Sequence, residues 1–191
     1  MHQLALAFCL ALPFVAAAQP VAPAAGAHEY RVLATTKTST MEKELNEAGE
    51  AGFAFSAVMG GNTAFASEVV TVMTKLPAGA PRRSYRLLAT NRTSTMQKEL
   101  TAMGAEGYDY KGQTVFSSTF GGREVTVILE RIEGSSKGRV LFRLQATSRT
   151  STMQKELNQM GENGYETVGL TVAQTALGGN ELVCILRKQA E

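Results

Sequence analysis

The chain has no tryptophan, two cysteines and two histidines among its 191 residues, and that poverty excludes several chemistries at once. Cys9 lies in an N-terminal apolar run that reads as a removable signal, so Cys184 is the single thiol expected in the mature chain. One thiol cannot make a disulfide framework. Inside an apolar strand it reads as a buried structural cysteine rather than a reactive one. With His2 in the same N-terminal run, His28 is left alone, and neither a histidine-based triad nor a multi-histidine metal site can be built. No cofactor or metal is implied.

Charge is also scarce. Charged residues make up 19% of the chain and the net charge is +2, with basic residues spread along the whole length. That balance gives no electrostatic footprint for nucleic acid. The apolar run Leu4 to Val15 falls short of the roughly 20 residues a membrane span needs. With Ala16-Ala17-Ala18 behind it, the run matches a secretory signal over residues 1–18, although Met1-His2-Gln3 carries no Lys or Arg. Residues 19–28, rich in Pro and Ala, form a flexible leader. The mature chain is thus expected to have no transmembrane segment and to be periplasmic or secreted. Hydrophobic residues at 44% place the remainder among folded globular chains.

What the sequence does have is repetition. Thr93-Ser94-Thr95-Met96-Gln97-Lys98-Glu99-Leu100 recurs unchanged from Thr150 to Leu157, and with one change from Thr38 to Leu45. The spacing of roughly 55 residues suits a complete supersecondary unit. Three units result, at residues 29–76, 84–132 and 140–189. In the middle one, Tyr85 to Thr90 reads as a strand and the octet opens a helix running to about Glu106. Tyr108 to Phe116, interrupted by Gly112, is a second strand; Gly121-Gly122 turns the chain, and Glu124 to Arg131 is a third. The order is β-α-β-β. The linkers around Pro77, Gly79 and Pro81 and around Gly134 to Gly138 are short.

Within each octet Ser39, Ser94 and Ser151 suit a helix N-cap, and Glu42, Gln97 and Gln154 three residues on complete a capping box. Met96, Leu100 and Met103 share one helix face, whereas Lys98 and Glu99 lie off it. Gly52, Gly107 and Gly164 fit the left-handed position after a helix. The preceding Gly49, Gly104 and Gly161 mark a close approach of helix backbone to a sheet.

The third strands, such as Val125-Thr126-Val127-Ile128-Leu129, are near-continuous apolar runs, which indicates burial on both faces. A helix covers one face, so another copy's sheet is expected on the other. A unit of this size is marginal on its own core, and each fully buried Leu, Ile or Val is worth about 1.5–3 kcal/mol. A helix joining strands one and two makes them parallel, and the hairpin puts strand three between them in the order 1-3-2. The fold class is α+β: three such sheets, wrapped as a pseudo-threefold bundle with helices outside, or strung as separate domains.

The opening Tyr-X-Leu-Leu strand and Gly104-Ala105-Glu106-Gly107-Tyr108-Asp109 resemble the bacterial domain of unknown function 4177 family. Gly161 to Glu166 and Gly49 to Ala54 share the same pattern. The resemblance spans residues 29–188 and implies β-α-β-β units, with no established activity. The same strand order occurs in small flavin-storing proteins of the dodecin type, a likeness of fold alone.

Candidate sites are few. Lys37, Arg92 and Arg149 precede the helices where free amides and the helix dipole favour an anion, and Ser39, Ser94 and Ser151 add hydroxyls. Phosphate, sulfate or a carboxylate would fit there; solvated cations beside satisfied caps explain the same residues. Glu44, Glu99 and Glu156 read as solvated surface charges rather than acid-base groups. The aromatics Tyr30, Tyr85, Phe142, Phe53, Tyr108 and Tyr165 read as core, with ligand stacking as the other use. The reading is of an exported, non-enzymatic binding or assembly module, through a protein partner or self-association. The alternatives are a small anion- or cofactor-binding protein, or an enzyme of unrecognised type with its site between repeats.

Overall fold

The computed structural model describes residues 28–64, 67–90, 92–117, 123–135, 138–174 and 179–190. The expected signal, nearly all of the leader and the Gly121-Gly122 turn lie outside them. Each third of the chain runs β-α-β-β. Repeat 1 comprises β1 (Tyr30–Thr35), α1 (Thr38–Glu50), β2 (Phe53–Asn62) and β3 (Ser67–Lys75). Repeat 2 comprises β4 (Arg83–Thr90), α2 (Thr93–Ala105), β5 (Asp109–Ser117) and β6 (Arg123–Ile132). Repeat 3 comprises β7 (Val140–Thr147), α3 (Thr150–Glu162), β8 (Glu166–Gln174) and β9 (Asn180–Gln189).

The helices end as their sequence dictates. Gly52, Gly107 and Gly164 take φ of 81°, 83° and 80°, a conformation that a β-carbon would penalise. In α2 the amide of Gly107 then donates to the Gly104 carbonyl, and that of Tyr108 to the Met103 carbonyl.

Each sheet has the order 1-3-2, with the last strand central and antiparallel to both neighbours. The second strand carries a bulge beside Gly112 in β5 and Gly169 in β8, which is the interruption the glycine announces. Alternation along the central strand divides each sheet into two faces. The front carries the repeat's own helix: Val69, Thr71 and Met73 in repeat 1, Val125, Val127 and Leu129 in repeat 2, Cys184 and Leu186 in repeat 3. The back carries Val70 and Val72, then Thr126, Ile128 and Glu130, then Val183, Ile185 and Arg187.

These faces explain how the repeats pack. The back of repeat 2 covers the front of repeat 1: Tyr85, Leu87 and Ile128 join Met41, Leu45, Phe53, Phe55 and Val58 in one core. The back of repeat 3 covers the front of repeat 2 in the same way, with Phe142, Leu144 and Ile185 against Met96, Leu100 and Val127. A third cluster, Met153, Cys184 and Leu186 with Leu157 and Met160, belongs to repeat 3 alone. The expected burial of β6 and β9 on both faces is a consequence of this stacking. In β3 the front is buried and Val70 and Val72 behind it are only half-buried.

The helices are more than an outer layer. Helix α1 lies on β4 of the next repeat, and α2 lies on β7. Gly49 makes this possible, because a β-carbon there would collide with the Arg83 carbonyl; at Gly104 it would collide with the Val140 carbonyl. The close approach expected of these glycines is therefore to the following repeat rather than to the helix's own sheet. A threefold wrap would also join repeat 3 to repeat 1. No apolar cluster of the described residues does so, and the three units form a front-to-back row.

Candidate functional site

The loops before the helices are alike. The hydroxyl of Thr35 accepts from the Lys37 amide at 3.2 Å, Thr90 from the Arg92 amide at 3.1 Å, and Thr147 from the Arg149 amide at 3.3 Å. These turns hold Lys37, Arg92 and Arg149 extended, so each helix begins at the following threonine. Ser39, Ser94 and Ser151 then fall inside the first turn and are exposed, and no side chain caps any of the three helices. The expected capping box does not form. A serine two residues past the half-in position cannot reach back to the free amides.

The partners assigned to that box have another task. Asn46 accepts from the Tyr85 amide at 2.9 Å and donates to the Tyr85 carbonyl at 3.0 Å. Glu42 accepts from the Leu87 amide at 2.9 Å and pairs with Arg86 at 3.2 Å. One turn of helix thereby satisfies the outer edge of β4, which would otherwise present bare backbone groups. In α2, Gln97 does this alone, accepting from the Leu144 amide at 2.8 Å and donating to the Phe142 carbonyl at 3.1 Å.

As an anion site the loops are poorly equipped. Lys37, Arg92 and Arg149 are exposed, each at its own helix. Arg92 shares a shallow depression with Glu181, and Ser39 lines another with Glu42 and Glu99. Glu44, Glu99 and Glu156 depart from expectation. Each is half-buried, with one carboxylate oxygen out of contact with solvent and no hydrogen-bond partner among the described residues.

Sequence reasoning missed Glu130. It sits on the back of β6, 3% exposed, directly after the apolar run Val125 to Leu129. Tyr85 donates to it at 2.7 Å, Lys111 pairs with it at 2.8 Å, and Arg83 lies 3.4 Å away. The Tyr85 hydroxyl also accepts from the Phe55 amide of repeat 1 at 3.0 Å. Burial, and then the bond to Glu130, push the Tyr85 hydroxyl far above its ordinary pKa. The equivalent position in β9 is Arg187, which pairs with Asp109 of repeat 2 at 2.5 Å and Glu166 at 2.7 Å. The signal was a charge on the back-facing alternation of the central strand, at the same station of two repeats. The Glu130 pairs join the strands of its own sheet, while Tyr85 with Phe55 and Arg187 with Asp109 tie neighbouring sheets together; the Tyr85 proton is held by its burial rather than poised for transfer.

Beside Glu130 runs a cleft of about 500 Å³ between repeats 1 and 2. Arg82, Arg83 and Arg131 line it opposite Glu50, Glu106 and Glu133, a balanced set without a dominant sign. Among the described residues no group of His, Cys, Asp or Glu could hold a metal ion. Burial raises the Cys184 thiol above its usual pKa, which makes it unreactive. No helix among the described residues is long and apolar enough to cross a membrane.

The strongest feature lies at the two ends of the row. Six large apolar side chains are exposed among the described residues. Tyr30 (59%), Val32 (63%) and Met59 stand on the back of repeat 1, and Leu170 (61%), Val172 (51%) and Leu141 on the front of repeat 3. Of the aromatic stations, Tyr85 and Phe142 are core as expected, whereas Tyr30, which occupies the same station, is not. The chain matches no family model, no curated protein and no solved structure.

Proposed function

We propose that this chain is a non-enzymatic binding and assembly module that works through its two outer faces. The observation that carries the reading is the placement of the exposed large apolar residues, which among the described residues all lie on those faces. Repeat arrays that act as monomers close their ends with polar capping units; this row ends in Tyr30, Val32 and Met59 on one side and Leu141, Leu170 and Val172 on the other. Export to the periplasm or beyond rests on the run Leu4 to Val15 and the small residues after it. The resemblance to the domain of unknown function 4177 family enters as a likeness of the repeat unit, supported by the β-α-β-β order of each third.

A photo-reactive amino acid in place of Val32 or Leu170, compared with one in place of the exposed Lys98, tests the reading in the cell that makes the protein. Adducts with protein are expected from the two end positions and none from the control. Equal labelling from all three positions, or none from the ends, removes it.

A further inference from the structure

Deepening that reading, and resting on it, we infer that the partner of each outer face is a second copy of this chain, docked head to tail so that α3 of one copy covers β1 of the next. The chain already builds this contact twice. Helix α1 seals the edge of β4, and α2 seals the edge of β7, each with the back of one sheet on the front of the one before. Both halves of a third such contact are present and unused, one at each end of the row.

The unused halves match residue by residue. Gln154 stands where α1 has Glu42 and α2 has Gln97, the side chains that accept from the strand edge. Asn158 stands at the station of Asn46. Here Gln154 and Asn158 are exposed and, among the described residues, bond only to each other, at 3.2 Å. Gly161 stands where Gly49 and Gly104 admit the next strand's carbonyl, yet a β-carbon on it would meet nothing within 4 Å. On the receiving side, Tyr30 and Val32 occupy the stations of Tyr85 and Leu87, with the outer edge of β1 unsealed by any side chain among the described residues. Asn46 holds both backbone groups of Tyr85, whereas α2 has Thr101 at that station. The free halves are Asn158 and Tyr30.

The sheet faces agree. Phe55 and Val58 on the front of repeat 1 pack over Gly112, and Tyr110 and Gln113 on the front of repeat 2 pack over Gly169. The corresponding front residues of repeat 3 include the exposed Leu170, and the corresponding back residue of repeat 1 is the small, exposed Ala57. The Tyr30 hydroxyl takes the place from which Tyr85 accepts the Phe55 amide, and would accept that of Thr167. No buried charge is stranded, because Thr74 stands at the station of Glu130 and Glu166 keeps Arg187. Unlike faces meet, so the contact generates a ring or a filament rather than a twofold dimer.

The test uses two variants of the whole chain and sedimentation velocity. Gly161→Leu blocks the helix half, and Tyr30→Asp with Val32→Lys blocks the strand half. The parent chain should exceed its one-chain mass of 20.4 kDa as concentration rises. Each variant alone should lose association by at least about tenfold. Mixed one to one, they should form a complex of two chains and no more, since each retains one intact half. Unchanged melting of the dilute Gly161→Leu chain shows that its fold is kept. A monomeric parent, variants that assemble like the parent, or a mixture that fails to pair would each overturn the inference. A monomer whose melting falls on Gly161→Leu would mean that α3 covers β1 of its own chain, and would overturn it too. If the parent is monomeric while positions 32 and 170 still cross-link to other proteins, self-pairing falls and the binding reading stands; silence from both positions removes both.

Discussion

Helices α2 and α3 carry the same residue at ten of thirteen positions, yet half of those positions are more exposed in α3. In α2, Leu100 is fully buried and Gly104 is covered by β7. In α3, Leu157 is half-buried and Gly161 is open to solvent. The burial of a repeated segment is thus set by its downstream neighbour in the chain as much as by its own residues. Strand β7 comes after α2, and no further first strand is described after α3.

That contrast can be broken in four ways, each measured by urea unfolding in dilute solution. The largest effect is expected from Leu100→Ala, which removes a fully buried side chain and should cost about 2–5 kcal/mol. Leu157→Ala should cost roughly half of that or less, since less apolar area is lost. Similar losses at the two leucines would show that α3 is covered after all.

Gly104→Ala and Gly161→Ala should differ in sign. The first drives a methyl group into the Val140 carbonyl and the Phe142 ring, at about 1–3 kcal/mol. The second meets open space and should gain up to about 1 kcal/mol of helix propensity.

The tyrosines at the two equivalent stations sharpen the contrast further. Tyr85→Phe leaves the Phe55 amide and Glu130 each short of a partner, and should cost about 1–3 kcal/mol. Tyr30→Phe should lie within about 0.5 kcal/mol of the parent. The same residue sets a pH dependence. A folded-state pKa raised above the unfolded value near 10 means that above that pH the unfolded chain sheds the Tyr85 proton first. Stability is therefore complete below about pH 10 and falls as pH rises beyond it, and Tyr85→Phe should flatten that fall.

The smallest difference is expected between Gln97→Ala and Gln154→Ala. Gln97 closes two backbone bonds of β7, worth roughly 1–2 kcal/mol together. Gln154 should be worth no more than about 0.5 kcal/mol in the separate chain.

Much of the fold was legible from the residues. The octet marked the repeat, and the apolar third strands, with a helix between the first two, forced the 1-3-2 sheet. The glycine after each helix announced its left-handed turn. The site was harder to see, for a physical reason. A serine with Gln or Glu three residues later satisfies the pattern of a capping box whether or not the helix starts at the serine. The start was shifted by Thr35, Thr90 and Thr147, whose turns lie outside the octet. Freed from the cap, Glu42 and Gln97 reach a strand that is 45 residues or more away in sequence. Local pattern carries no record of such a partner. Glu130 was missed because the apolar run before it was read as a whole, although its position in the alternation puts it on the same face as Ile128.

Helices α1 and α2 each depend for their cover on a strand from the following unit. Helix α1 lacks its cover until β4 is in place, and α2 in turn needs β7. Each unit is the template on which its successor settles. A chain that ends after α2 would therefore display an unfinished helix surface, lacking the cover that β7 supplies.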